Sequence, residues 1–295
     1  MWLSIIALAI TFVVSCSYCY YSFWEKCNLQ SVQLANLRNK RICLLIAHPD
    51  DEVMFFAPTL LALTQSSLGN HVTILCLSSG NNEGLGEIRK NELVNSGMRL
   101  GLRKKDDIFV IDNQDFPDSM TTKWHKTKVA ALLLDLFAPN VGRWPQEASK
   151  EGFRTTIDVL ITFDSNGISG HPNHISLFHG AKHFISSLTD LSLYWANPVS
   201  LYTLTSISIM RKYTFIFDIF PSLIDAIFLN IKRGLTSNKL PTSLIFLNGP
   251  EQLRCAQNTM KSCHRSQMKW YRWGWIIFSR YMSINDLRLE QLVGR

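Results

Sequence analysis

The sequence contains two pairs of residues whose types and spacing are typical of metal binding. His48 and Asp51 are three residues apart, and His171 and His174 repeat this spacing later in the chain. At a turn from a strand into a helix, residues three apart can lie on the same side of the first helical turn and present their ligand atoms to one ion. Two histidines and one aspartate would leave one position open for water, as in catalytic zinc sites, although iron(II), cobalt(II) and manganese(II) accept the same ligands. The two pairs therefore predict a catalytic metal site, with one histidine left over.

A run of acidic residues strengthens this prediction. His48 and Pro49 are followed by three adjacent carboxylates, Asp50, Asp51 and Glu52. Adjacent carboxylates repel one another unless solvent, helix amides or a cation compensates their charge. Solvated acids in a turn would also explain the run, and a single pair of histidines is common by chance. Because each cluster directly follows an apolar run, however, the metal site is the better interpretation.

Apolar runs alternate with helix-like stretches, and this alternation indicates the elements that position these residues. The expected strands lie at residues 42–47, 72–77, 108–111 and 157–163, and the expected helices between them at 52–63, 87–100 and 122–137. Such alternation is typical of βαβ units and a parallel sheet. Polar residues follow each expected strand, and open parallel sheets bind ligands beyond the carboxyl ends of their strands. We predict an α/β fold of Rossmann-like type, with three layers and a mostly parallel sheet that has helices on both faces.

Composition limits the class of protein. The chain has 295 residues, of which 46% are hydrophobic and 18% charged, and this balance argues against a disordered chain. The length suits one α/β domain better than two. The formal net charge of +7 favours an anionic partner such as lipid headgroups, phosphates or nucleic acid. The sequence contains no known nucleic-acid motif, so we expect no nucleic-acid partner.

The first residues of the chain predict a membrane anchor. Residues 2–24 carry no charge, and as a helix they would be about 35 Å long, enough to cross a hydrocarbon core of about 30 Å. A cleaved signal peptide is the alternative, but no Lys or Arg precedes the apolar run. Basic residues follow the run directly, so the positive-inside rule predicts a single-pass protein whose remaining chain faces the cytosol. We expect an anchor at 2–24, a linker at 25–40 and one domain at 41–295.

The motifs around the histidines resemble those of a known family. The metal motifs at residues 47–52 and 171–174 together resemble the zinc-dependent LmbE/PIG-L-like de-N-acetylases. Three further motifs are similar to the eukaryotic branch of that family; they lie at residues 86–93, 112–118 and 262–267. Asn173 departs from the superfamily pattern, since bacterial members usually carry Asp there, but this is not a ligand position.

This resemblance implies a role for each residue of the two clusters. His48, Asp51 and His174 would bind Zn²⁺. Asp50 would be the general base, which takes a proton from water and passes it to the departing amine. His171 would polarise the substrate amide and, if protonated, stabilise the developing oxyanion.

Three more residues in the family-like motifs are candidates for binding substrate. Arg89 would reach the inositol or phosphate of the substrate, although an exposed pair with Glu92 is an equally good interpretation. Asp112 would bind sugar hydroxyls, with a turn cap as the alternative. For His264, both a place in the pocket lining and a helix N-cap stay open.

The resemblance also implies the reaction and its place in the cell. We expect hydrolysis of the acetamide of N-acetylglucosaminyl-phosphatidylinositol to glucosaminyl-phosphatidylinositol and acetate. This is the second step in the biosynthesis of glycosylphosphatidylinositol (GPI) anchors, at the endoplasmic reticulum membrane. The expected partners are the phosphatidylinositol glycolipid and the membrane. Two alternatives differ from this reading: a zinc deacetylase of a soluble N-acetyl amino sugar, and a non-catalytic tether that binds phosphoinositides.

Two later segments raise the question of further lipid contact. Residues 270–278 combine aromatic and aliphatic residues with a basic one, which suits either a core helix or a helix on a membrane surface. We expect core packing with an edge at the membrane interface. Residues 201–231 are strongly apolar but are interrupted by four charged residues, which argues against a second span.

Overall fold

The computed structural model describes residues 37–139, 155–191, 199–214 and 243–290, together with single residues and short runs within 2–34 and 218–225. Most of the predicted anchor at 2–24 and of the linker at 25–40 lies outside the described residues. Among the residues that are described, no helix is both long enough and apolar enough to span a bilayer. The anchor therefore stays a prediction.

Seven strands form one sheet in the described part of the chain: β1 Arg41–Ile46, β2 His71–Cys76, β3 Ile108–Val110, β4 Val159–Phe163, β5 Ser200–Leu204, β6 Ser243–Leu247 and β7 Ile284–Leu289. Their order across the sheet is β3-β2-β1-β4-β5-β7-β6. The first five strands of this order are parallel, and β7 runs antiparallel to both β5 and β6. The prediction of a mostly parallel sheet is therefore confirmed. The order 3-2-1-4-5 is that of a doubly wound fold, whose switch point lies between β1 and β4.

The helices that pack on this sheet are α1 Asp51–Met54, α2 Ala57–Leu63, α3 Gly86–Arg99, α4 Lys126–Phe137, α5 Gly167–Gly170, α6 Pro172–Leu191, α7 Ile209–Lys212, α8 Pro250–Cys263 and α9 Trp270–Phe278. They form two groups, in which α4 packs along α6, and α8 packs against α2 and α3. The backbones of α4 and α6 approach closely because residue 180 is a glycine: a Cβ on Gly180 would overlap the side chain of Val129.

The central strands are buried on both faces. Residues 42–46 of β1 and 159–163 of β4 are each no more than 1% exposed. Neighbouring side chains of a strand point to opposite faces, so an unbroken buried run requires cover on both sides of the sheet. The central strands are thus a rigid base for the loops that leave their carboxyl ends.

One predicted helix is divided in the structure. The expected helix at 52–63 is two short helices, α1 and α2, with a turn at Phe55 and Phe56 between them. Pro58 is the cause, because it has no N–H to donate to the preceding turn and is tolerated only in the first turn of a helix. This break lets α1 remain a single turn directly beneath the site.

Candidate metal centre and active site

The two predicted histidine clusters lie side by side because their strands are neighbours. His48 and Asp51 follow β1, whereas His171 and His174 follow β4, which pairs directly with β1. The Asp51 carboxylate closes the turn after β1: its Oδ2 accepts from the backbone N–H of Ala47 at 3.1 Å and of His48 at 2.9 Å. Its Oδ1 lies 3.3 Å from Nε2 of His174. One carboxylate therefore connects both clusters.

His174 is oriented as a metal ligand. Its Nδ1 lies 3.2 Å from the carbonyl oxygen of Gly167. A carbonyl can only accept, so Nδ1 carries the proton and the lone pair is on Nε2. This Nε2 is buried and has no hydrogen-bond partner, although it faces the Asp51 carboxylate. A buried, unpartnered imidazole nitrogen beside a carboxylate oxygen fits a cation between them.

His48 is held in the same way. Its Nε2 lies 3.1 Å from Oδ1 of Asn173 and 3.2 Å from Oδ1 of Asp118. Both oxygens accept, so the Nε2–H donates to them and the lone pair of Nδ1 is left 3.8 Å from Asp51 Oδ2. The amide of Asn173 is itself fixed, since its Nδ2 donates to the carbonyl of Thr122 at 3.0 Å.

The donor set therefore fits a divalent metal. His48, Asp51 and His174 are all buried, and their ligand atoms lie within 4.8 Å of one another. A second group, His48 with Asp118 and His171, meets the same distance limit, but it is less buried and shares His48 with the first. We prefer the first group because hydrogen bonds to surrounding residues already orient both of its imidazoles.

The charge states of these side chains suit metal binding. Burial by itself would raise the pKa of the Asp51 carboxyl, but His174 and His48 outweigh it and lower that pKa well below its usual range. Burial lowers the pKa of His48, against the opposing effect of Asp51. An ionised carboxylate and a neutral imidazole are the forms that coordinate metals.

Asp50 lies beside this group without belonging to it. Its backbone has a φ of 110°, in the left-handed region that a non-glycine residue rarely adopts. The backbone N–H of Asp50 donates to Glu52 Oε2 at 2.9 Å, which helps to hold this conformation. The side-chain Oδ2 of Asp50 accepts a hydrogen bond from Arg272 Nη1 at 2.5 Å and one from Arg89 Nη2 at 3.4 Å. The carboxylate is thus fixed at the wall of a cavity.

His171 faces the same cavity. Its ring stacks on that of His174, with 4.7 Å between ring centroids. Its Nδ1 accepts from the backbone N–H of Asn173 at 3.2 Å, so a neutral His171 carries its proton on Nε2. Burial, followed by the nearby imidazoles of His174 and His48, lowers the pKa of His171 to about 4. At neutral pH the ring is therefore an uncharged hydrogen-bond donor.

The structure separates the three residues predicted to bind substrate. Arg89 lines the cavity, and its guanidinium donates to the carbonyl oxygens of Gly80 at 2.7 Å and Pro49 at 2.8 Å. The alternative interpretation, a pair with Glu92, is absent among the described contacts of Arg89. Asp112 is half-exposed beyond the cavity lining, where it bonds Lys90 at 2.8 Å.

His264 lies behind the metal-binding turn. It is fully buried, and its Nε2 lies 2.6 Å from Oε1 of Glu52. Ser96 donates to the same oxygen at 2.5 Å. Because Glu52 also accepts from the Asp50 backbone, the His264 pair supports the turn that carries Asp50. Neither His264 nor Glu52 lines the cavity.

The sequence-based argument missed several residues of the cavity wall. The cavity has a volume of about 330 Å³ and is lined by His48, Asp50, Asp51, His171 and His174, together with residues that the sequence did not predict for the site: Asp118, Lys269, Tyr271 and Arg272. Asp118 ends the motif at 112–118, so its position was visible in the sequence but its contact was not. No local sequence pattern indicated the contact between Arg272 and Asp50, since the two residues are 222 positions apart in the chain.

Fold and site together define a metal-dependent hydrolase, in which the carboxylate of Asp50 and the imidazole of His171 flank a group of two histidines and one aspartate at the switch point of a parallel sheet. Residues 43–185 match the model of the PIG-L family, described as GlcNAc-PI de-N-acetylase. The chain belongs to this family of de-N-acetylases, as its motifs predicted.

Named relatives support this assignment over most of the chain. An Arthroderma benhamiae protein named N-acetylglucosaminyl-phosphatidylinositol de-N-acetylase is 43% identical, with 86% of this chain and 88% of that protein covered. A Bos taurus protein of the same name is 36% identical, with 84% and 82% covered. In fold, the chain is similar to a solved deacetylase of the teicoplanin biosynthesis pathway, with a TM-score of 0.50 at 10% identity, covering 85% of this chain and 99% of that one.

Proposed function

We propose that this protein hydrolyses the acetamide of N-acetylglucosaminyl-phosphatidylinositol with Zn²⁺ as its metal, releasing acetate and glucosaminyl-phosphatidylinositol in GPI-anchor biosynthesis. The observation that carries the proposal is the arrangement of the buried donors of His48, Asp51 and His174 beside Asp50 and His171 around one cavity. The names of the relatives support the substrate. A divalent metal bound by the three donors would lower the pKa of water and polarise the acetamide carbonyl.

Asp50 acts as the general base in this proposal. Both arginine contacts are made to its Oδ2, from Arg272 and Arg89, which leaves Oδ1 to take the proton of the attacking water. The same carboxyl then donates that proton to the departing amine, so the C–N bond breaks as the amine becomes neutral. The two arginines hold the carboxylate in place through both transfers.

His171 supplies the hydrogen bond to the acetamide oxygen. With its pKa lowered to about 4, it acts at neutral pH as a neutral imidazole that donates through Nε2–H. The protonated form, which the sequence analysis gave only as a condition, is not needed for this role. A preorganised donor of this kind contributes about 3 kcal/mol to stabilising an oxyanion.

Arg89 orients the Asp50 carboxylate in this proposal. Its guanidinium lines the cavity, but its Nη atoms already donate to the carbonyls of Gly80 and Pro49 and to Oδ2 of Asp50, so its fork is not free for a phosphate. Asp112 and His264 lie away from the cavity, and we assign them supporting roles instead. The Asp112 carboxylate pairs with Lys90 and accepts a hydrogen bond from Ser79. His264 is hydrogen-bonded to Glu52 and helps to hold it in place.

Residues 2–24 anchor the protein in the endoplasmic reticulum membrane in this proposal, as a single span with domain 41–295 in the cytosol. The uncharged run and the basic residues after it support this arrangement. Confinement to the bilayer that holds the glycolipid would raise the effective concentration of substrate at the site.

One assay tests the proposed function. Purified full-length protein is incubated with N-acetylglucosaminyl-phosphatidylinositol, with and without a chelator, and released acetate is measured. We expect acetate release that the chelator abolishes and Zn²⁺ restores. Release that persists after complete removal of metal would refute the mechanism, and cleavage only of a soluble N-acetylglucosaminyl-inositol would favour a soluble amino sugar as substrate. Absence of any release with metal bound would indicate a lipid-binding tether.

A further inference from the structure

The helix α9 exposes apolar side chains beside the cavity. Trp270 is 86% exposed, Trp273 47%, Ile277 49% and Phe278 55%. We call these four residues the exposed aromatic face. At 3.6 residues per turn, Trp270, Trp273 and Ile277 lie on one side of the helix, so they form a continuous patch. Apolar patches of this kind on a folded protein mark a contact surface.

The opposite side of α9 is fixed to the protein. Trp275 and Ile276 are buried, and Trp275 Nε1 donates to the carbonyl of Met54 at 3.1 Å. Gln257 of α8 donates to the carbonyl of Ile276 at 3.1 Å. The helix cannot turn the exposed aromatic face inward without breaking these contacts.

The exposed aromatic face continues into the cavity. Tyr271 and Arg272 of α9, together with Lys269 just before the helix, line the cavity wall. Tyr271 is 50% exposed, which places it where the cavity opens to the surface. A headgroup that enters the cavity next to Tyr271 therefore leaves the rest of its molecule beside the exposed aromatic face.

A basic side chain adjoins the exposed aromatic face. The Lys261 ammonium lies over the ring of Trp273, 5.5 Å from its centroid. Among the described residues, Lys261 has no carboxylate within ion-pair distance. Tryptophan with an adjacent lysine is typical of the interface between anionic headgroups and acyl chains.

We propose that the exposed aromatic face of α9 docks on the bilayer surface, with its side chains among the headgroups of an anionic leaflet, and holds the cavity opening at headgroup level. This inference rests on the proposed function, because a substrate whose acyl chains stay in the bilayer requires the cavity to open there. It adds a second membrane contact to the predicted anchor and gives the domain a fixed orientation.

The first experiment measures docking without any catalysis. Full-length protein is reconstituted in vesicles of brominated phosphatidylcholine and phosphatidylserine, and quenching of its fluorescence is compared with that of the double variant Trp270→Phe, Trp273→Phe. The chain has eight tryptophans, so the difference between the two proteins isolates these two. We expect the wild type to show an additional quenched component. Equal fractional quenching of the two proteins would overturn the proposal.

The second experiment measures the effect on substrate. The double variant Trp270→Ser, Trp273→Ser is assayed on N-acetylglucosaminyl-phosphatidylinositol in vesicles and on the soluble N-acetylglucosaminyl-inositol headgroup. We expect kcat/KM for the glycolipid in vesicles to fall about tenfold or more, because the cavity is no longer held at the bilayer surface that contains the substrate. On the soluble headgroup, kcat/KM should stay unchanged. The matched control is Phe109→Ser, since Phe109 is a 50% exposed aromatic residue on β3, outside the cavity lining.

The outcomes separate the two proposals. Equal loss on both substrates would overturn the docking role, because it would indicate damage to the cavity itself. The docking role would also be overturned if the wild type is a dimer in detergent and the serine variant is a monomer. In that case the exposed aromatic face would bind a second copy of the chain. Bromolipid quenching in a protein that deacetylates nothing would support docking while refuting the proposed function.

Discussion

At the scale of single residues, the site depends on which atom of each side chain is already occupied. The Nδ1 of His174 is bonded to Gly167, and the Nε2 of His48 to Asn173, so each imidazole has one lone pair left. Both lone pairs face Asp51. Asp50, by contrast, is bonded to arginines and not to the histidines. Adjacent aspartates therefore have different chemical roles.

Asp50→Asn separates these roles. The substitution leaves all three metal donors in place, but an amide cannot take a proton from water, so we expect kcat to fall by about 10²–10⁴-fold while bound metal stays near one per chain. Metal content by elemental analysis and acetate release check this. His174→Ala is the matched control and should lose metal. Metal loss from Asp50→Asn would contradict the assignment of Asp50 as a base outside the metal site.

The buried pair of His264 and Glu52 predicts a pH-dependent stability. Burial lowers the pKa of His264, but Glu52 outweighs it and raises the pKa above its ordinary value of 6.5. The folded state therefore binds a proton that the unfolded state releases above about pH 6.5. The stability from this pair is fully present below that pH and is lost as the pH rises through the folded pKa.

His264→Gln tests this pair. Breaking a buried ion pair costs about 3–5 kcal/mol, so the variant should be less stable than the wild type below pH 6.5. The difference in free energy of unfolding should shrink as the pH rises above 6.5 and through the folded pKa of His264, as measured by denaturant titration. His125→Gln, at an exposed position, should show no such trend. A difference that grows with pH would be the opposite of our expectation.

The residue types of the metal site could be predicted from the sequence, because His48 with Asp51 and His171 with His174 are local patterns. The surrounding contacts could not. Glu52 and His264 are 212 residues apart, and Asp50 and Arg272 are 222 apart. No periodicity connects such pairs, since the fold alone brings them together.

At the scale of elements, the turn after β2 decides where Arg89 lies. Gly80 has a φ of 69°, and a Cβ at this position would overlap the Arg89 guanidinium. The carbonyl of Gly80 accepts from that same group at 2.7 Å. The glycine thus provides both the space and the acceptor for the arginine that contacts Asp50.

Gly80→Ala should therefore reduce activity more than stability. We expect kcat/KM to fall about tenfold or more, because displacing Arg89 removes one of the two arginine contacts that orient Asp50, a misplacement of the kind that costs up to about 10²-fold. Gly84→Ala is the matched control: its φ is 74°, but nothing lies near the added methyl group. Both variants should lose about 1 kcal/mol of stability from the positive φ. Equal activity of the two variants would contradict the role of Gly80.

The same scale shows where sequence patterns were ambiguous. Residues 52–63 were expected to form one helix because their apolar spacing continues across Pro58. In the structure they form two helices. The segment 270–278 was expected to pack in the core, with an edge at the membrane interface. Only part of it is buried. The sequence did not indicate which part, because a helix with apolar residues on most sides does not show which side faces the protein.

At the scale of the whole molecule, the metal site connects the two halves of a doubly wound sheet. His48 and Asp51 follow β1, and His174 follows β4 on the other side of the switch point. The alternating pattern of the sequence was sufficient to predict four of the five parallel strands, β1 to β4, but it did not predict β5. It gave no sign of β6 and β7, whose antiparallel pairing completes the sheet without a βαβ unit.

Metal removal should therefore destabilise the entire domain. A metal at about 100 times its Kd adds about 2.7 kcal/mol to the folded state, which for a domain of this size corresponds to roughly 5–10 °C in Tm. Calorimetry with and without a chelator measures this shift. His174→Ala should show no shift, because one of the three donors is missing. An equal shift in that variant would place the metal elsewhere.

The distance of Arg272 from Asp50 along the chain has a consequence during protein synthesis. His48, Asp51 and His174 have all been translated before α9, whereas the partner of Asp50 is made 222 residues after it. At about 5–20 residues per second, the ribosome needs roughly 10–45 s to cover that interval. For the last 98 residues of that interval, from His174 to Arg272, a nascent chain contains all three metal donors but lacks the arginine that contacts Asp50. We therefore expect enzymatic competence to begin only when the last helix has left the ribosome and docked.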